Sequence, residues 1–331
     1  MQIDEFLAPR VLIVSGKGGV GKTTAAAALA LVAARHGRKV CVAEVDRKGS
    51  LGRLLGGRRD LTYEPAELSP GVWGMNIVPE QALAEYLEVQ YKMKRISRAF
   101  TSTHFVDYIT TAAPGLKDIL ILGKVWYLEK NRSRSGGHGF DTIVLDAPAA
   151  GHMLQFLSAP MGLSDAVGVG PVRRQAEWLV EMLRDPARAR VHLVTLPEEM
   201  PVNETLETEE ALRTKVGITP GIVFANAVLT PLFSKKEEAL FDELAADGSV
   251  DELCKEAGDV GLRLEPDDLG ALLGYARFLT ARRAIQRKHL RALTRKAGQP
   301  VVNLPFLFSA GLGLPDIEVL ADVVEEKVAN L

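Results

Sequence analysis

Cysteine is scarce in this sequence, and neither sign of charge dominates it. The 331 residues include two cysteines, Cys41 and Cys254, which argues against a disulfide framework and favours a reducing compartment. Forty Lys and Arg residues against 42 Asp and Glu residues give a net charge of −2. That balance gives no reason to expect nucleic acid or an anionic membrane as a partner.

Long apolar runs are also missing. The longest uncharged segment near the start, residues 23–34, is well short of the roughly 20 residues that a membrane-spanning helix needs. The first residues are acidic and lead straight into a strand pattern, whereas a secretory signal begins basic and continues apolar. We therefore expect a cytoplasmic chain without a membrane-spanning segment. Hydrophobic residues still make up 47%, which is enough for a large buried core.

Short β-branched runs alternate with helical patterns along the chain. The predicted strands are 10–16, 39–45, 73–78, 141–145, 191–196, 221–225 and 300–304. The predicted helices are 23–36, 81–130 with a break at 114–115, 204–215, 234–296 and 315–330, and 131–139 is a polar loop. This alternation predicts an α/β fold with a doubly wound, mostly parallel sheet, in which the first two strands form a parallel pair.

Two helical stretches, 81–130 and 234–296, are longer than crossovers between strands require. We expect one domain over 1–331, in which these stretches form a helical layer or subdomain attached to the sheet. The apolar part of the first stretch, 116–128, fits either a helix packed in the core or a helix that binds a client. Core packing is favoured, because an apolar helix face is normally buried.

The most specific signal is a glycine-rich segment between the first strand and the first helix. Residues 16–24 read GKGGVGKTT, which matches the phosphate-loop pattern G-x-x-x-x-G-K-[ST] in the strand-to-helix context that the pattern requires. Glycines let backbone N–H groups surround a phosphate, and the helix N-terminus adds its positive dipole. The residues predicted to bind ATP are Gly16, Gly18, Gly19, Val20, Gly21, Lys22, Thr23 and Thr24.

Three side chains of this loop have separate expected roles. Lys22 bridges the β- and γ-phosphates, the Thr23 hydroxyl ligates Mg²⁺, and Thr24 reaches the α-phosphate. A competing pattern overlaps the loop, because its glycines also spell G-x-G-x-x-G, and Glu44 or Asp46 lies where a dinucleotide fold places its ribose-binding acid. That interpretation leaves the lysines and threonines without a role, so ATP and Mg²⁺ are favoured.

Two aspartates end predicted strands, at the edge where open α/β sheets bind ligands. Asp46 ends the second strand, and Asp146 ends the apolar run TIVLD. Phosphoryl transfer needs a group that positions water and groups that hold Mg²⁺, so both are candidate catalytic residues that bind Mg²⁺ through water. The alternative for each is a helix N-cap or a turn residue.

Lys17 makes the loop similar to the deviant P-loop, K-G-G-[VT]-G-K-[ST], of the MinD/ParA/ArsA group. In that group the extra lysine reaches the partner's nucleotide across a dimer. The resemblance therefore implies that Lys17 is catalytic in trans, as a cation delivered by assembly. The alternative is a solvated turn lysine.

Later segments resemble the ArsA family of arsenical-pump and tail-anchored-protein-targeting ATPases. Residues 146–154, DAPAAGHML, are similar to the family's switch II, and Glu44-Val45-Asp46 is similar to its switch I, whose aspartate orients or activates water. The resemblance also implies that Asn226 reads adenine and that Pro305 and Phe306 pack on it. The alternatives are a turn residue at Asn226 and a core residue at Phe306.

The sequence departs from that family in several places. Ala149 and Ala150 stand where Pro-Thr is usual, and Gly49 replaces a common histidine. There is no C-x-x-C for the zinc-stapled dimer of the targeting ATPases, no cysteine triad for arsenite, and we expect no Fe–S cluster. One ATPase half is present, so a dimer has to form between two chains.

The resemblance implies a dimeric ATPase that couples Mg-ATP hydrolysis to a change of shape and to handling a partner or cargo. The dimer is formed with a second copy or with a paralogous ATPase, and a protein client is one candidate cargo. Two alternatives stay open. One is a nucleotide-gated regulatory subunit with little turnover, which Ala149-Ala150 favours, and the other is a ParA- or MinD-like positioning ATPase, which the helical stretches disfavour.

Overall fold

The computed structural model describes residues 1–45, 49–57, 60–91, 115–131, 139–239 and 250–331. The strands are β1 Val11–Gly16, β2 Val40–Glu44, β3 Ala66–Ser69, β4 Val72–Asn76, β5 Thr142–Ala149, β6 Ala189–Thr195, β7 Pro220–Val228 and β8 Val301–Pro305. Within the described ranges they form one eight-stranded sheet in the order β3-β4-β2-β5-β1-β6-β7-β8. Every neighbouring pair is parallel except β3 and β4 at the edge, which confirms the predicted fold class.

Helices lie on both faces of this sheet. They are α1 Ile3–Phe6, α2 Lys22–Arg35, α3 Ser50–Leu54, α4 Pro79–Tyr91, α5 Leu116–Lys130, α6 Ala150–Ala166, α7 Pro171–Arg184, α8 Glu199–Ala211, α9 Val250–Asp259, α10 Pro266–Lys296 and α11 Leu314–Ala329. A π-helical turn, Leu212–Val216, follows α8. Among these helices none is both long enough and apolar enough to cross a bilayer.

The strands alternate their side chains between two apolar cores. On β1, Leu12 and Val14 belong to the core under α2 and α11, whereas Val11 and Ile13 belong to the core under α5 to α8. This is the period of two that a strand buried on both faces must show. Alanines line the buried face of α2, which lets this helix lie close to the sheet directly after the phosphate loop.

Some sequence predictions need correction. The first two strands are parallel, but they are not a pair, because β5 lies between β1 and β2 and hydrogen-bonds to both. The apolar run that forms β5 suits this central position, since both of its faces are buried. β5 also runs four residues beyond the predicted end, because Ala149 pairs with Gly16.

The sequence pattern did not predict the edge strand β3 or the helices α6 and α7 over 150–184. For α6 the reason is that it contains two glycines and a proline, which weaken a helical pattern. The predicted helix 204–215 begins earlier, as α8, and ends in the π-helical turn.

The long helical stretches are present where the structure describes them. α5 lies within the predicted 81–130, α4 begins two residues before that range, and α9 and α10 lie within 234–296. Residues 92–114 and 240–249 fall outside the described residues. The same holds for 132–138 of the predicted polar loop. On α5, Ile121, Leu122 and Val125 are buried, so the favoured core packing of 116–128 is confirmed for this face. The division into a domain and a helical subdomain stays a prediction.

His192 is a titratable group inside the core. It lies on β6 in register with Val14 of β1, and its ring packs between Phe6 and Phe224 at centroid distances of 5.2 and 5.9 Å. Its Nδ1 accepts the backbone N–H of Ile222 at 3.1 Å, which fixes an acceptor on that nitrogen. Burial lowers the pKa of His192 from 6.5 to about 4, so the folded chain holds this ring neutral.

This burial predicts a pH dependence of stability. Between pH 6.5 and about 4, the unfolded chain binds a proton at His192 that the folded chain does not, so the free energy of unfolding falls as pH falls. The contribution of the neutral His192 ring to the free energy of unfolding is fully present above pH 6.5. About 3 kcal/mol of it is lost by about pH 4. Urea unfolding of the wild type and of His192→Gln, measured from pH 7.5 to 4, should show a steeper decline for the wild type. Parallel curves would contradict this account.

Candidate functional site

The phosphate loop begins at the centre of the sheet, where β1 lies between β5 and β6. A Cβ at Gly16 would lie 2.1 Å from the carbonyl oxygen of Val194 on β6, so only glycine fits there. Gly21 has φ of +91°, and a Cβ there would lie 2.1 Å from the Asn226 side-chain nitrogen. These two positions fix the ends of the loop, because neither accepts a side chain.

Lys22 and Thr23 follow directly, in the first turn of α2. Lys22 is buried, and its ammonium donates to the Lys17 carbonyl oxygen at 3.1 Å, which holds the side chain back across the loop. The Thr23 hydroxyl donates to Oδ2 of Asp146 at 2.7 Å. Asp146 is buried on β5, so a loop hydroxyl and a strand carboxylate meet at one point.

This donor set fits Mg²⁺. The ion prefers oxygen ligands, and it typically uses one or two protein groups together with substrate phosphates and water. The Thr23 hydroxyl and the Asp146 carboxylate are such groups, and they lie beside a loop whose glycines leave space for phosphate. Ser15 reinforces the arrangement, because its hydroxyl donates to the Pro148 carbonyl oxygen at 2.8 Å and ties the end of β1 to the segment after Asp146.

A cleft of about 1210 Å³ opens at this edge of the sheet. That volume exceeds the roughly 300–1,000 Å³ typical of ligand sites, so a nucleoside triphosphate has room in it. The cleft is lined by the phosphate loop and by side chains from α3, α5 and α6, including Lys22, Thr23, Thr24, Arg53, Lys117, Asp118 and His152. Three of these are cationic at neutral pH, which suits a polyanionic ligand.

The part of the cleft lined by α5 contains a carboxyl group whose pKa is raised. Burial raises the pKa of Asp118 on α5, and the nearby His152 on α6 opposes that shift in part. His152 belongs to the segment that resembles switch II, so α5 and this segment meet within the cleft. The sequence pattern did not single out Asp118 or Lys117, because only the packing of α5 against α6 brings them to the cleft.

Lys17 has a counter-ion that the sequence did not reveal. Its ammonium lies 2.5 Å from Oε1 of Glu204 on α8, and the two side chains are 36% and 38% exposed. Lys17 is not among the described residues that line the cleft. A signal for Glu204 was available, since it is an acidic residue in the first turns after a central strand, where ligand-side residues of such sheets lie.

The candidate adenine residues lie at the ends of β7 and β8. The Asn226 amide donates to the Val20 carbonyl oxygen at 2.9 Å, so it contacts the phosphate loop directly. Pro305 ends β8, and Phe306 is 43% exposed and meets Phe308 edge to face at 4.9 Å. The alternative of a core residue at Phe306 is therefore wrong. Contact of these residues with adenine stays a prediction.

Asp46 lies outside the described residues, so its role also stays a prediction. The strand that precedes it is well placed. Glu44 is buried and pairs in register with Asp146, and Val45 lines the cleft. The segment that resembles switch I therefore begins at the end of β2, where Glu44 is in register with Asp146.

Cys41 bears on the kind of ligand that this chain can bind. It is fully buried on β2, and burial raises its thiol pKa to about 12, so the thiolate that binds soft metals or metalloids is strongly disfavoured. Cys254 lies far along the chain on α9 and is partly exposed.

A phosphate loop at the centre of a parallel sheet, with a Thr–Asp pair at its end, defines the class of P-loop nucleotide hydrolases. A family model described as anion-transporting ATPase matches residues 9–175. The ATPase BagA of Mycobacterium tuberculosis is 35% identical over 289 residues, which cover 84% of this chain and 83% of BagA. The chain belongs to the anion-transporting ATPase family, and it is an ATPase.

A longer relative belongs to the same comparison. The arsenical pump-driving ATPase of Escherichia coli is 26% identical over 336 aligned residues, which cover 97% of this chain but 54% of the pump protein. The chain thus corresponds to about half of that protein.

The geometry of Gly21 predicts the effect of one methyl group. Gly21→Ala forces a left-handed backbone and a collision with Asn226, which displaces the loop before Lys22. We expect ATP affinity to fall about tenfold or more, measured by calorimetry. Gly37→Ala is the matched control, because Gly37 has φ of +74° but a Cβ there would meet no described atom within 4 Å. It should cost about 1 kcal/mol of stability and leave ATP affinity unchanged. Equal affinity in both variants would contradict this role of Gly21.

Proposed function

We propose that this ATPase is a dimeric molecular switch that couples Mg-ATP binding and hydrolysis to a change of shape and to the handling of a partner or cargo. The observation that carries the proposal is the pairing of Thr23 with Asp146 beside Lys22. These groups are the cation, the hydroxyl and the carboxylate that phosphoryl transfer requires at one place.

Each residue has a stated role in this proposal. Lys22 and the loop N–H groups bind the β- and γ-phosphates of the substrate. The Thr23 hydroxyl and the Asp146 carboxylate would hold Mg²⁺ beside these phosphates. When bound, the ion neutralises charge on the phosphates. Asp46 positions the attacking water, a role supported by the register of Glu44 beside Asp146.

Lys17 completes the site from a second copy. Lys22 already spans the phosphate loop of its own chain, whereas Lys17 is bonded to Glu204 and is absent from the described lining of its own cleft. A lysine in that position can serve a nucleotide when a second chain faces the cleft. Its charge then stabilises the transition state only after assembly, as an arginine finger does.

The assembly in this proposal consists of two copies or of this chain and a paralogue, because Lys17 is absent from the described lining of its own cleft and needs a second chain to serve a nucleotide. The cargo is not expected to be a metalloid, because Cys41 is buried with a raised thiol pKa. A protein client remains the proposed class of cargo.

A regulatory subunit with little turnover is the second candidate. Ala149 lines the cleft, and the next residue, Ala150, stands where the ArsA family usually has a threonine, so this chain lacks the hydroxyl that could help to sense the nucleotide. Tight ATP binding without hydrolysis, at every protein concentration tested, would favour this candidate.

The test is steady-state Mg-ATP hydrolysis per chain over a range of protein concentrations. A homodimeric ATPase should gain activity with concentration and then saturate, and Lys22→Ala should abolish it. Activity per chain that is constant from nanomolar to micromolar concentrations would contradict assembly-dependent hydrolysis, provided that the lowest concentration is shown to be monomeric. Unchanged turnover in Lys22→Ala would contradict the assigned phosphate site.

Glu204→Gln extends the same measurement. Removing this counter-ion releases Lys17, so the concentration at half-maximal activity should fall. The pair is more than one-third exposed, and such pairs are worth about 0–1 kcal/mol, so the decrease should be at most about fivefold. Glu207→Gln is the matched control, an exposed glutamate on the same helix, and it should leave the curve unchanged. Identical shifts in both variants would indicate a general charge effect.

A further inference from the structure

Within the described residues, α4, α5, α6 and α7 line a second cavity of about 250 Å³, which is partly open to solvent at Val172 and Trp178. Its walls are mainly apolar, with side chains such as Leu83, Ile119, Leu120 and Leu179. None of its lining residues belongs to the phosphate loop or to the proposed catalytic set. The volume equals that of about eight molecules of liquid water, which suits a small molecule and not a helix.

The polar groups of this cavity are paired with one another. The Lys124 ammonium donates to both carboxylate oxygens of Glu85, at 2.8 and 2.7 Å, and lies 4.6 Å from the centre of the Tyr63 ring. The Tyr63 hydroxyl also donates to Glu85, and burial raises the pKa of this hydroxyl. Tyr86 donates to Gln175 at 2.6 Å. A charged ligand would therefore lose its hydration without gaining an unpaired counter-ion from this wall, because Lys124 and Glu85 already neutralise each other.

One glycine keeps the cavity open. Gly123 lies in the middle of α5, where glycine is among the least favourable helix residues. A Cβ at this position would meet no described atom within 4 Å, so neither backbone conformation nor crowding requires glycine here. Any larger side chain on this wall of the cavity would take up its space.

Two tryptophans close one end. Trp126 and Trp178 stack with an angle of 3° between their rings and a centroid distance of 5.2 Å. The Lys130 ammonium lies over both rings, at 4.6 and 5.0 Å, and holds the pair in place. The chain has three tryptophans, so two of them report on this cavity.

We propose that this cavity is a binding site for a small, uncharged, mainly apolar molecule of about the size of one or two rings. The volume of the cavity limits the size of the ligand, and the pairing of Lys124 with Glu85 favours a ligand without charge. Gly123 provides the space. The inference goes beyond the proposed function and does not depend on it.

The test uses N-phenylnaphthylamine, a neutral apolar dye, with the full-length chain and without nucleotide. Excitation of tryptophan should produce saturable dye emission with one site per chain. The matched probe is anilinonaphthalene sulfonate, in which the same rings carry a negative charge. It should bind about tenfold or more weakly, because the one cation among the described lining residues, Lys124, is already paired with Glu85.

Two variants separate this site from a nonspecific surface. Gly123→Leu should fill the cavity and weaken dye binding about tenfold or more, while Gly274→Leu on the exposed face of α10 should leave it unchanged. Val172→Trp, at the half-exposed rim on α7, gives a second filling variant if the first does not fold. Absence of saturable binding in the wild type, or equal binding in the filled variants, would overturn the proposal.

Discussion

The close approach of β1 to β6 is the constraint on which the candidate site depends. At Gly16 the Val194 carbonyl oxygen occupies the space that a side chain would need, so the strand ends against its neighbour and the loop must start there. On the other side, Gly16 pairs with Ala149 and Ser15 bonds to Pro148. The loop and the segment after Asp146 are thereby held by the same strand end, which sets the distance between Thr23 and Asp146.

The contacts of this site also suit a switch. Lys17 and Asn226 each have a partner within the chain that would have to be exchanged before the side chain could bind a nucleotide: Lys17 bonds to Glu204, and Asn226 bonds to the loop carbonyl of Val20. The cleft is lined by α3, which packs in the core under α2 and α11, and by α5 and α6, which pack in the core on the other face. Closing the cleft around a ligand would therefore move elements on both faces of the sheet. α5 contributes both to the cleft and to the apolar cavity, which places the two sites on one rigid element.

Local patterns were enough to predict the phosphate loop, the presence of the strands near Asp146 and Asn226, and most of the sheet, although both strands run beyond their predicted ends. The reason is that glycine spacing, β-branched runs and strand-end acids each act over a few residues. The order of the strands in the sheet was harder to predict, because β5 is separated from β1 by more than a hundred residues. Nothing near β1 in the sequence indicates that β5 lies beside it. Asp118 and Gly123 were missed for the same reason, since their surroundings are built by elements distant in sequence. Glu204 had a local signal, its place in the first turns after a central strand, but its pairing with Lys17 joins residues far apart in the chain.

The central claim is that Lys17 of one chain serves the nucleotide of another, and a mixing experiment tests it most directly. Lys17→Ala and Lys22→Ala chains should each be inactive alone. In a mixed dimer, the Lys17→Ala chain keeps its own phosphate loop and receives Lys17 from its partner. An equimolar mixture should therefore recover up to about one quarter of wild-type activity, because half of the dimers are mixed and each has one complete site. No recovery, in a mixture shown by differential tagging to contain mixed dimers, would contradict the account.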